Sequence, residues 1–99
     1  MEYNVVITKD AEQDMENIYN HIALELMSPE YAMGQYNRIA DSIMQLDTFP
    51  AGFRIVDFEP EHSMGLRRKF VDNYTIFYRM VARAEEEAFE KDIDIDRIR

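Results

Sequence analysis

Residues 65 to 80 read GLRRKFVDNYTIFYRM, and four of the chain's eleven Lys and Arg residues fall there: Arg67, Arg68, Lys69 and Arg79, with Asp72 as the one acid. Guanidinium and ammonium groups set among aromatics can grip phosphate, stack on a nucleobase or receive an acidic peptide. Side chains alternate along a strand, so Arg68 and Phe70 share one face while Arg67, Lys69 and Val71 share the other. By the same count Arg79 sides with Phe77 and Thr75, opposite Tyr74, Ile76 and Tyr78. The candidate binding residues are therefore Arg67, Arg68, Lys69, Tyr74 and Arg79, and any catalysis would draw its cations from Arg68, Lys69 and Arg79. The plainer alternative is a strand face kept soluble by its charges.

Other clusters carry less. His62 follows Glu59 and Glu61 in a loop just before the basic strand, where a general acid or base could reach a substrate; three polar loop residues are more often simply solvated. The run DIDID, with Asp92, Asp94 and Asp96, resembles the opening of a calcium loop, but its sixth position is Arg97 where Gly is needed. The three carboxylates are expected to line the wet face of a strand. His21 and His62 lie far apart, the methionines scatter as core filler, and the absence of cysteine removes disulfides, thiolate zinc sites and thiol catalysis. No metal and no cofactor are expected.

Charge sharpens the contrast. Residues 63 to 83, which add Arg83, carry five bases against Asp72, net +4, and the rest of the chain sums to -13. General binding to nucleic acid is disfavoured, because so acidic a body repels a phosphate backbone at long range. One anionic partner on a local basic face remains compatible. Ninety-nine residues suffice for one domain with a real core. No apolar run approaches the roughly 20 residues of a membrane span, and the N-terminus lacks the features of a secretory signal, so a cytoplasmic location is expected.

The elements that must position these residues follow from periodicity. YNVVIT, residues 3 to 8, reads as a first strand buried on both faces. Asp10 with Gln13 resembles a capping box, and Met15, Ile18, Ile22 and Leu26 form one helical stripe. Ser28 and Pro29 start a second helix with Ala32, Tyr36, Ile39, Ile43 and Leu46 on one face, ending before Pro50. Helices are expected near residues 10–27 and 29–47. Strands are expected at 53–58, at 66–72 and 74–83 around an Asp72-Asn73 turn, and in the alternating run from Asp92. The segment AEEEAFE reads as an acidic turn. The fold class is α+β, in the order βααββββ: an antiparallel-rich twisted sheet of about four to five strands, covered on one face by an N-terminal αα-hairpin. Ile18, Ile22, Ile39, Ile43, Ile76 and Tyr78 are the expected core.

SPEYA at the hairpin turn, Leu46, Phe49 and Pro50 at its close, and LRRKFVDNYTIFYRM resemble the RelE/ParE superfamily of bacterial toxin–antitoxin and plasmid-stabilisation modules. Arg68, Tyr74, Ile76, Tyr78 and Val81 match that family's strand-pair pattern. The resemblance implies a growth-inhibiting toxin neutralised by a cognate antitoxin, with a homodimer left open. It implies one of two actions: ribosome-dependent, metal-independent cleavage of messenger RNA, or poisoning of DNA gyrase by protein contact. The nuclease branch carries an Arg directly after the strand Tyr, and here that position is Thr75; its Arg and its Tyr or His near the C-terminus have no counterpart before Arg99. RNA cleavage needs a base, an acid and several cations around the reacting phosphate. The gyrase-directed action is therefore the expected one, with the RNase and an inactive antitoxin-binding relative as alternatives.

Overall fold

The computed structural model describes residues 3–82 and 92–99. Its elements are β1 (Asn4–Ile7), α1 (Lys9–Asn20), a π-helical turn (His21–Glu25), α2 (Pro29–Met44), two 3-10 turns, β2 (Arg67–Val71), β3 (Tyr74–Val81) and β4 (Asp92–Ile98). The strands form one sheet in the order β1-β4-β3-β2, parallel between β1 and β4 and antiparallel elsewhere. Both helices pack on one face, as the change of period at Pro50 implies. Their contact layer is Ala11, Met15, Ile39, Ile43 and Leu46 against Ile76, Tyr78, Ile93, Ile95 and Ile98. Ile22 is buried as well, and Ile18 is partly buried against this core.

Helix α1 is capped by Thr8, whose hydroxyl oxygen accepts from the Ala11 amide at 3.1 Å. The expected Asp10–Gln13 box is not the cap. The same Thr8 hydroxyl donates to the Ile95 carbonyl at 2.7 Å, which ties the helix start to β4. After Asn20 the chain widens into a π turn, with the Leu26 amide reaching back to the His21 carbonyl. The extra residue in that turn rotates the stripe, and Leu26, expected on it, points to solvent at 61% exposure. Ser28 occupies the N-cap position of α2 without a side-chain hydrogen bond there, and Pro29 fills the first turn.

Three strand expectations need correction. β1 lies at a sheet edge and is largely exposed, because its one partner is β4. Residues 53–58 form no strand: beyond the edge of β2 they find only a single bridge, Ile55 with Arg67, and Val56 is held by the Leu66 carbonyl. β4 is central, so its alternation does not mark a wet face; Ile93, Asp94 and Ile95 are all buried between flanking strands. The turn at Asp72-Asn73 forms as expected, with Asp72 at φ 55°. Arg83 and the acidic run 84–90 lie outside the described residues.

Candidate functional site

The β2–β3 ladder sorts the basic residues. Arg67 pairs with Tyr78, Lys69 with Ile76 and Val71 with Tyr74, which puts all six side chains on the helix side of the sheet. Arg68 pairs with Phe77 and Phe70 with Thr75, so these four and Arg79 face away from the helices. The alternation read from the sequence holds residue by residue. Its consequence is that the five candidate binding residues do not converge on one site.

On the helix side the charges serve the fold. Lys69 Nζ donates to the Ser42 carbonyl and to Gln45 Oε1, each at 3.0 Å, at the C-terminal end of α2. Its ammonium stands over the Phe53 ring at 5.8 Å, and burial lowers its pKa. A cation there completes helix carbonyls that lack an intrahelical partner and sits at the negative end of the dipole. The guanidinium of Arg67 donates to the Phe53 carbonyl. Tyr74 packs partly buried against the core, so its ring is no platform on the open face. Asp72, the lone acid in the basic stretch, accepts from Arg38 Nε at 2.7 Å and Gln35 Nε2 at 3.0 Å. It fastens the hairpin tip to α2, and these hydrogen bonds hold its carboxyl below the usual range.

Open-face geometry is different. The guanidinium carbon of Arg68 lies 5.3 Å from the Phe58 ring centre and 5.1 Å from that of Phe70. Phe58 in turn meets Phe77 edge to face at 6.4 Å. The aromatic contacts fix the guanidinium, while among the described residues it makes no hydrogen bond, so its N–H fork is presented to a partner. Phe70 is 64% exposed. Beside this cluster a cleft of about 200 Å³ is bordered by Phe53, Arg54, Ile55 and Arg68. Sequence reasoning missed Phe58 and Arg54, because both fall in the segment that reads as a strand and only its irregular path brings them to Arg68.

The loop acids and His62 are used locally. His62 Nδ1 lies 2.7 Å from the Val56 carbonyl, and Glu59 accepts from the Ser63 amide at 3.0 Å, which lowers the Glu59 pKa. Glu61 borders a separate cavity with Asp10, Phe77, Arg97 and Arg99. At that end of the sheet Asp14 takes three donors: Arg97 Nε at 2.8 Å, Arg97 Nη2 at 2.9 Å and the Ile98 amide at 2.9 Å. This pair, invisible as a motif, joins α1 to β4.

Residues 5–98 match the family model described as ParE toxin of type II toxin-antitoxin system, parDE. The chain belongs to the ParE toxin family. Its fold is similar to that of a solved structure titled as a chromosomal ParDE TA system from P. aeruginosa, with a TM-score of 0.76 and 21% identity over 98% of this chain and 94% of that one. No curated protein sequence matches the chain. As a ParE-family member it is the toxin component of a type II module, and among its described residues no helix is long and apolar enough to cross a membrane.

Proposed function

We propose that this ParE-family toxin acts by protein contact, on DNA gyrase, and is held inactive by a cognate antitoxin. The observation that carries this reading is the division of the cations. Lys69 and Arg67 are committed to carbonyl oxygens on the helix side. Arg68 and Arg79 remain on the open face, with Thr75 where the nuclease branch of the superfamily carries an arginine. A ribonuclease must deprotonate a 2'-hydroxyl, protonate a 5'-oxygen and neutralise the charge between them, and each lost group costs orders of magnitude in rate. Two arginines and a threonine supply none of the proton transfers. They do supply what a protein interface needs: a stacked arginine, exposed aromatics and a rim of charge.

The experiment is a pair of assays on the purified protein, gyrase-catalysed supercoiling of relaxed plasmid and message integrity in a translating extract. Lost supercoiling with intact message is the expected result, and addition of the antitoxin restores supercoiling. Cleaved message with normal supercoiling would replace this reading with the ribonuclease.

A further inference from the structure

Among the described residues Arg79 and Glu61 each hold a shielded side-chain atom without a hydrogen-bond partner, and Arg79 is the donor of the two. Its Nε is shielded from solvent and, among the described residues, has no hydrogen-bond partner. Asp94 lies across from it in the β3–β4 ladder, but Asp94 is itself buried and has a partner of its own. Buried donors in folded proteins nearly always find an acceptor, so a buried cationic donor without one marks a place where an acceptor is to arrive.

The surroundings say what kind. Arg79 borders a cleft of about 340 Å³ together with Arg67, Ser63 and Gly65 and with apolar residues that include Ile55, Met64 and Val81. Among the described residues two arginines and a serine line the cleft and no acid does, in a chain whose net charge is -9. Gly65, at φ 73°, turns the backbone there, with no atom within 4 Å of where a Cβ would stand. Arg67 already gives one N–H to the Phe53 carbonyl on the helix side, so its guanidinium is engaged and Arg79 is left to meet an incoming anion.

We propose that this cleft is an anion site that receives one carboxylate side chain of the antitoxin, an inference that rests on the toxin reading above. A single carboxylate fits the charge pattern better than a nucleic acid does. A polyanion brings a charge every few ångströms, and those beyond the basic strand pair would meet the acidic remainder of the chain. A protein segment can carry one acid for Arg79 and neutral or basic residues on either side. The planar fork of an arginine also matches a carboxylate in two parallel hydrogen bonds, which an ammonium does not reproduce.

The test has two arms. In the first, the Nε–H resonance of Arg79 in the wild-type protein, identified by its absence in Arg79→Lys, is followed during titration with sodium acetate against sodium chloride at matched ionic strength. It is expected to move downfield and saturate with acetate and to ignore chloride. Equal responses to both salts overturn the site, and so does a single-stranded RNA oligonucleotide that shifts the resonance at lower concentration than acetate. In the second, the antitoxin is titrated by calorimetry into wild type, Arg79→Gln and Arg79→Lys, each checked for native chemical shifts elsewhere. Arg79→Gln is expected to weaken binding roughly 10- to 100-fold, with Arg79→Lys recovering only part of the loss. Tight binding to wild type and both variants alike overturns the site while leaving the toxin reading intact. No binding to wild type ends the toxin reading instead, and the acetate titration still decides whether the cleft takes an anion. If Arg79→Gln does not fold, the same acetate titration on wild type decides the matter.

Discussion

Replacing Lys69 by alanine should destabilise the protein measurably, although Lys69 stands in a run of basic residues that reads as solvated. Two hydrogen bonds from Nζ, to the Ser42 carbonyl and Gln45 Oε1, are lost together with a charge at the α2 C-terminus. Hydrogen bonds to charged groups contribute about 1.5–3 kcal/mol and a helix-terminal charge about 0.3–1 kcal/mol. Against this stands the desolvation that lowers the Lys69 pKa, a cost the alanine variant no longer carries. The net expectation is a loss of about 1–2.5 kcal/mol. In a chain of this size that is a fall in Tm of roughly 5–15 °C. Thermal unfolding followed by circular dichroism reads it. Lys69→Met, which keeps an apolar stem over Phe53, should lose less than alanine and so separate packing from hydrogen bonding. Arg68→Ala is the comparison, with a loss of about 1 kcal/mol or less, since only contacts to exposed rings go. Equal melting temperatures for wild type and Lys69→Ala would refute the assignment of Lys69 to the fold.

Further outcomes follow from the buried polar contacts. Asp14→Asn should cost about 1.5–3 kcal/mol by urea unfolding, because Asp14 answers three donors. Hydrogen bonds from Arg97 hold the Asp14 carboxyl below its ordinary value, so its contribution is complete above about pH 4 and lost as pH falls through that depressed pKa; a stability-versus-pH curve for Asp14→Asn should flatten there. Tyr78 donates to the Pro50 carbonyl at 2.6 Å, and burial pushes its pKa up to about 12. Its contribution is therefore whole below about pH 10 and lost as pH rises toward 12, and Tyr78→Phe should remove that alkaline dependence in a base-unfolding titration. Ile43→Ala, at a position with 0% exposure, should cost about 2–5 kcal/mol in the same urea measurement.

The helix hairpin and the β2–β3 pair are legible in the sequence because both rest on local periodicity: Ile39 and Ile43 recur at helical spacing, and Ile76 and Tyr78 at strand spacing, on faces that are in fact buried. Residues 53–58 mislead because β-propensity says nothing about whether a neighbouring strand is there to pair with. β4 misleads for the converse reason. Its alternation resembles a half-exposed strand, but its place between β1 and β3 is a long-range fact, and Asp94 is buried there. At the site, alternation gives the side of the sheet for Arg67, Arg68, Lys69 and Arg79. It cannot give what waits on that side: a helix end above Lys69, two phenylalanine rings beside Arg68, or an open cleft at Arg79. Those depend on how α2 docks against the sheet and on the irregular path of residues 53–65, neither of which has a short-range signature.

The most direct test of action by protein contact through the open sheet face is gyrase supercoiling measured with three proteins at a temperature where all are folded: wild type, Arg68→Ala and Lys69→Met. Wild type and Lys69→Met should both suppress supercoiling, while Arg68→Ala, with the open-face arginine removed and the fold kept, should suppress it at least several-fold less. Suppression by Arg68→Ala equal to wild type, or full supercoiling in the presence of all three, would contradict it.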